Sequence, residues 1–282
     1  MYQEHGAQHI DLDNYPVAIK YNPIKWVLNL INKIFVIAEL EVRKLKHDPT
    51  ELFTRAAQPA LWMLVFGEVF TRVRAIPTGS LTYLDFMAPG ILAQSVLFVA
   101  IFYGISIIWE RDLGIVHKLL VSPTPRSALV LGKALSAGVR AISQAVIVFF
   151  LSLLLKVDLS WDPLNLLGIL LVVIISASLF STFSLIIACI VKTRERFMGI
   201  GQVLTMPLFF ASNAIYPIEI MPEWLKVLAH INPLTYEVDA LRTFMINGGQ
   251  SMYGIGFDFF ALILSMVILT LIAARLYPNV VR

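Results

Sequence analysis

Glu110-Arg111-Asp112-Leu113-Gly114, with Val116, Lys118, Leu119, Leu120, Pro123, Pro125 and Lys133 after it, forms the chain's densest group of residues able to do chemistry. That chemistry is ionic and mechanical. Two acids and an arginine in a row can pair, snorkel or grip a partner, but they hold no nucleophile beside a base. Bond-making sets are not found elsewhere. His5, His9, His47, His117 and His230 are scattered, and no pair has metal-ligand spacing within an apolar run. Cys189 is the single cysteine; it lies in an apolar run and reads as a small buried hydrophobe. No Gly-x-x-x-x-Gly-Lys-Ser/Thr loop is found, so no nucleotide cradle is expected in this chain.

The elements that position the charged group are set by composition. The chain has 282 residues, 58% hydrophobic and 15% charged, with a mean hydropathy of +0.77. Soluble domains carry roughly a quarter charged residues, so a membrane protein is expected. The first twenty residues are polar and lack an apolar core segment, which predicts a cytosolic tail over 1–23 rather than a cleaved signal. A hydrocarbon layer needs about 20 apolar residues per helix. Six such runs are read, near 56–73, 86–109, 134–155, 164–191, 200–216 and 255–277. The first and fifth are short and carry prolines or polar residues.

Charge sets the orientation. With a cytosolic N-terminus and six crossings, the cytosolic segments hold all but five of the 22 basic residues. The five are Arg72, Arg74, Lys156, Lys226 and Arg242. This positive-inside bias predicts both termini and the 110–133 connection on the cytosolic side of a cell membrane. Ahead of the first span, residues 24–48 place Val27, Leu30, Ile31, Ile34 and Ile37 near one helical face and Lys25, Lys33 and Arg43 on others. That pattern predicts an amphipathic helix lying in the interface. A seventh span is the alternative, made costly by Asn29, Asn32, Lys33, Glu39 and Glu41.

Residues 217–254 are too polar to span and too apolar for a free loop. Pro222 suits a first helical turn, Asn232-Pro233 stops that helix, and a second helix near 235–246 ends at Asn247-Gly248-Gly249. An extracellular re-entrant helical hairpin is therefore expected before the last span. The fold class expected is an all-α membrane protein with six transmembrane helices.

Two separated motifs carry a family resemblance. Glu110-Arg111-Asp112-Leu113-Gly114, Lys118-Leu119-Leu120, Pro123 and Gly132-Lys133 resemble the cytosolic loop of the type-2 ATP-binding-cassette permeases. Tyr216-Pro217, Met221-Pro222, Asn232-Pro233-Leu234-Thr235-Tyr236 and Val238-Asp239-Ala240-Leu241-Arg242 are similar to the segment before the last span in that family's drug-, antibiotic- and lipo-oligosaccharide-exporting branch. Ile115 and His117 depart from the family pattern of Thr or Ser followed by an acid.

The resemblance implies a transport subunit without its own ATPase site. It would bind no cofactor itself, with Mg-ATP held by separate cassette ATPase subunits docked at the 110–133 loop. It also implies a homodimer or a heterodimer with a related permease, surrounded by membrane lipid, with no nucleic acid partner. The substrate would be a drug-like, lipid or glycolipid amphiphile moved outward.

Within that frame, Asp112 near the start of a short helix and Lys118 near its end suit the helix dipole. Leu113, Val116, Leu119 and Leu120 supply an apolar anchor, and Pro123 and Pro125 end the helix. A solvated connector that only enforces topology is the plainer reading, and Glu110-Arg111 equally suit a snorkelling boundary pair. Arg140 and Gln144 share a helix face and, with Gln94, Gln202 and Asn213, are candidates for a cavity lining or for helix–helix hydrogen bonds. Pro217, Pro222, Asn232, Pro233, Tyr236, Asp239 and Arg242 are candidates for an outer gate or an interfacial plug. No metal ligands are expected. An ion- or proton-coupled carrier is the alternative function. It would need a buried midplane carboxylate, and Glu68 and Asp258 sit too near span ends. A membrane-embedded enzyme would need converging catalytic groups at one face, and no such set is found.

Overall fold

The computed structural model describes residues 49–73, 76–114, 126–191 and 193–277. The expected tail, the interfacial helix over 24–48 and residues 115–125 lie outside the described residues. The described part is helical: α1 (Pro49–Leu61), a π turn (Trp62–Gly67), α2 (Glu68–Val73), α3 (Tyr83–Tyr103), α4 (Ile105–Asp112), α5 (Arg126–Leu154), α6 (Pro163–Ile190), α7 (Arg194–Phe210), a 3₁₀ turn (Ile218–Ile220), α8 (Glu223–Ile231), α9 (Pro233–Met245) and α10 (Ile255–Leu276).

Local chemistry explains the ends. Thr82 and Asp85 form a reciprocal capping box at the start of α3, with Asp85 N donating to Thr82 Oγ1 at 3.2 Å and Thr82 N to Asp85 Oδ2 at 3.3 Å. Asp162 caps α6 by accepting from Leu164 N at 3.0 Å, and Pro163 occupies the first turn, where its missing N–H costs nothing. Pro59 inside α1 removes one helical donor, and the π turn follows three residues later. α3 and α4 are separated by a break at Gly104. A Cβ there would collide with the Ser184 hydroxyl of α6.

α6 is the centre of the bundle. It packs against α5, α10, α3 and α9, and the residues of α3 from Asp85 to Leu97 are buried on every side. Lipid-type surface lies on the outer faces of α6 and α10, where Leu164, Leu167, Phe260, Ile263, Val267 and Leu271 are exposed. Four helical stretches among the described residues are long and apolar enough to cross a membrane: Tyr83–Asp112, Leu129–Leu154, Pro163–Ile190 and Ile255–Leu276. They correspond to the second, third, fourth and sixth expected spans.

The other two expected spans are helical but differ from the expectation. The first is interrupted by the π turn. The fifth, expected over 200–216, is the 17-residue helix Arg194–Phe210 followed by turns. Its stop is tertiary in origin. The side-chain amide of Asn232 donates to Leu208 O and Ala211 O, both at 2.7 Å, and so satisfies the carbonyls that a longer helix would have used.

α9 lies alongside α6. A Cβ on Gly168 would sit 2.7 Å from the Phe244 ring, and Ser176 faces Glu237. The seven residues between Phe244 and Glu237 rise about 10 Å, which brings Glu237 level with the middle of α6. The expected pair of short helices between the fifth and sixth runs is present as α8 and α9, with Pro222 immediately ahead of α8 and Pro233 opening α9.

Candidate functional site

Two polar clusters occupy opposite ends of the bundle. At the loop end, the ammonium of Lys133 on α5 pairs with the carboxylate of Glu110 on α4. Asp112 accepts from Arg111 at 3.0 Å and from Arg194 on α7 at 3.0 Å. The Arg194 guanidinium also lies 3.7 Å over the Trp109 ring, a cation–π contact. α4 is thereby tied to both α5 and α7.

Asp112 is the last residue of α4, and the short helix expected to follow it lies, beyond Gly114, outside the described residues. Leu113 N donates to Trp109 O and Gly114 N to Arg111 O, both at 2.9 Å, and Gly114 takes the left-handed conformation (φ +71°) that closes a helix. An acid at a helix C-terminus opposes the dipole, and the two arginines offset it. Leu113 is exposed. Val116, Lys118, Leu119, Leu120, Pro123 and Pro125 lie outside the described residues.

The distal cluster gathers around α9. Asn232 caps this helix through Leu234 N at 3.0 Å while its amide holds the end of α7. Tyr236 donates to His230 O at 2.6 Å, which locks α8 onto α9. One oxygen of Asp239 accepts from Met252 N (2.6 Å), Ser251 Oγ (3.1 Å) and Tyr253 N (3.3 Å). Its other oxygen faces Asn213 Nδ2 at 3.4 Å and Arg242 Nη1 at 3.7 Å. Arg242, 6% exposed, donates to Asn213 O at 2.7 Å and Phe86 O at 3.4 Å and sits 4.0 Å over the Phe86 ring. A cavity of about 450 Å³ opens beside this cluster, with Asn213, Pro217, Asp239 and Arg242 in its wall.

The structure therefore joins Asn213, read from sequence as a cavity residue of the spans, to the segment read as an outer gate. The other polar span candidates lie on α3, α5 and α7. Gln94 and Gln144 are buried inside the bundle. Arg140 lies 5.2 Å over the Tyr103 ring. Gln202 is exposed, because α7 turns Phe197, Gly201, Thr205 and Phe209 inward at four-residue spacing and leaves Gln202 outside that stripe.

Sequence reasoning gave no role to three acids. Asp85 accepts from Asp158 N at 3.0 Å and ties the α5–α6 connection to α3. Asp258 Oδ2 lies 2.8 Å from Ser251 Oγ, whose single proton it shares with Asp239. Glu237 on α9 is fully buried, and neither carboxylate oxygen has a hydrogen-bond partner. Burial pushes its carboxyl well above the usual range. Its place beside Val238 and Ala240 in a short amphipathic helix was the only available signal. Among the described residues, no group of His, Cys, Asp and Glu could hold a metal ion.

With this geometry described, the comparisons decide the family. Residues 32–246 match the family described as ABC-2 type transporter. The chain belongs to the ABC-2 type transporter family. Its relatives include ycf38 of Cyanophora paradoxa, which carries a transport-permease name and is 27% identical over 75% of this chain and 73% of that relative. The daunorubicin resistance ABC transporter permease protein DrrB1 of Streptomyces coeruleorubidus is 25% identical, over 83% of this chain and 82% of its own length. The inner membrane transport permease YadH of Escherichia coli strain K12 is 22% identical, over 64% of this chain and 70% of its own length. As an ABC-2 permease, the chain is a membrane protein of an ABC transporter and works with an ATPase subunit.

Proposed function

We propose that this permease is the membrane half of an ATP-driven exporter that moves amphipathic molecules, drug-like or lipidic, out of the cytosol or its leaflet. It has six spans, with both termini and the 110–133 loop in the cytosol of a cell-membrane protein. Two copies, or one copy and a related permease, form the pathway within membrane lipid. Separate cassette ATPases bind Mg-ATP and dock at Glu110–Lys133, and this chain contributes no catalytic group.

The observation that supports this reading is the tie of α4 to α5 through Glu110–Lys133 and to α7 through Asp112–Arg194. A displacement of the docked loop would then reach two further helices at once. Ion pairs that only set topology would not need to span three helices. The buried distal segment around Asp239 and Arg242 would close the far end until those helices move.

The test is purification of the tagged chain from native membrane in a mild detergent, with an ATPase assay on the eluate. A co-purifying ATPase is expected, and it is lost when Leu119 and Leu120 are both changed to Asp while the thermal unfolding of the permease is retained. Transport that survives ATP depletion and collapses with the ion gradient would overturn the proposal.

A further inference from the structure

We propose that Asp239, Ser251 and Asp258 form a proton-binding site that latches the segment before the last span onto α10. One proton, held on the carboxyl of Asp258, closes the latch, and its loss opens it. The place of the latch in transport rests on the exporter reading; the proton rests on the geometry alone.

Three contacts meet at Ser251 Oγ. It accepts from Gly254 N at 2.6 Å. It also stands 2.8 Å from Asp258 Oδ2 and 3.1 Å from Asp239 Oδ2. A serine hydroxyl has one proton to donate and two lone pairs. With both carboxyls ionised, one of the two acid contacts would set a lone pair against an anion. One added proton makes all three contacts hydrogen bonds. A carboxyl then donates to Ser251, and Ser251 donates to the other carboxylate.

The surroundings decide which carboxyl holds the proton. Asp239 Oδ2 also accepts from Met252 N at 2.6 Å and Tyr253 N at 3.3 Å, and its Oδ1 faces Asn213 Nδ2 and Arg242. That is the setting of an ionised acid. Asp258 is 0% exposed, and its Oδ1 is buried without a partner. Ionised, it would keep a bare charged oxygen there. The first turn of α10 favours a negative charge, but that aid is small beside the cost of burying an unpaired ion.

No helix packed on α10 supplies a free cation to Asp258. α6 has no charged residue. Arg126, Lys133 and Arg140 run from the loop end of α5 to its middle, and Arg275 is at the far end of α10. On α9, Glu237 faces Ser176 of α6, and Arg242 faces Asp239. Tyr236 gives its proton to His230 O, and Tyr253 Oη has no partner. When the proton leaves past half-buried Ser251, two carboxylates oppose each other across one hydroxyl. The turn 251–254 then opens to bring water to Asp258, and its amides come free of Asp239.

The full chain in phosphatidylcholine nanodiscs tests this without ATP, so failure here leaves the exporter reading to its own experiment. Infrared spectra are taken with carbon-13 at the aspartate side-chain carboxyl, which separates aspartate bands from those of Glu237. At about pH 6, roughly two units above the usual aspartate pKa of about 3.9, a protonated aspartate band is expected, and Asp258→Asn should remove it. No such band in the wild type, or one that persists in Asp258→Asn, would overturn the proposal. Amide hydrogen exchange over 251–258 reads the latch. Once intrinsic rates are divided out, protection should fall as pH rises, by at most about tenfold per pH unit. In Asp258→Asn, whose amide still donates to Ser251, protection should not change with pH. Wild-type protection that stays level as the band titrates away would overturn the latch.

Discussion

Asp112 and Arg194 stand 82 residues apart and meet at 3.0 Å, with the Arg194 guanidinium stacked on Trp109 one turn earlier on the same helix as Asp112. The contact joins the last residue of α4 to the first residue of α7. Both partners are more than a third exposed, and exposed pairs add little to folding stability.

The pair should therefore matter for coupling and little for stability. Arg194→Ala is expected to leave the unfolding midpoint nearly unchanged. It should lower substrate-stimulated ATPase activity of the assembled transporter, on the order of fivefold. Arg194→Lys keeps the charge but loses the planar stack on Trp109, and should recover only part of the activity. A large fall in unfolding midpoint with normal stimulation would assign the contact to folding alone.

Much of this architecture was legible. The four long apolar runs, the Asp162-Pro163 start of α6, the stop at Asn232-Pro233 and the separation of α8 from α9 follow from local patterns. What was not legible is set by distant partners. α7 ends at Phe210 because Asn232 captures its carbonyls from across the fold. Asp112 reads as a helix opener by the dipole rule, yet Gly114 two residues on closes a helix there, and Arg194 makes that acid tolerable. Glu237 reads as one more acid on the outer side. Only the packing of α9 along α6 shows it to be buried on every side.

That burial leads to a pH prediction for Glu237. With its folded pKa raised above the unfolded value of 4.5, the native state binds more protons than the unfolded state above that pH. Stability from this group is complete below about pH 4.5 and is lost as pH rises toward the folded pKa. The limiting slope is about 1.4 kcal/mol per pH unit. Glu237→Gln removes the titration. As pH rises above about 4.5, the wild-type unfolding midpoint should fall relative to that of the variant. Parallel midpoints across that range would mean that Glu237 is ionised and partnered, contrary to the structure.

Gly90 and Gly104 separate two kinds of close packing along the second apolar run. A Cβ on Gly90 would meet the backbone of Ala214, with its Cα at 2.7 Å and carbonyl carbon at 2.8 Å. A Cβ on Gly104 would meet the side chain of Ser184, with its Cβ at 2.9 Å, and the Phe197 ring at 3.2 Å. Backbone held by the Asn213–Arg242 network cannot yield, whereas a side chain can be removed. Both Ala substitutions should destabilise by about 1–3 kcal/mol, the usual cost of overpacking. Ser184→Gly should rescue Gly104→Ala but leave Gly90→Ala unchanged. The rescue stays partial, because the Ser184 hydroxyl also donates to Ile101 O at 2.5 Å and that bond is lost. Thermal unfolding of the single and double variants in one detergent measures the coupling. If Gly104→Ala costs the same with and without Ser184, then α3 does not meet α6 at this point.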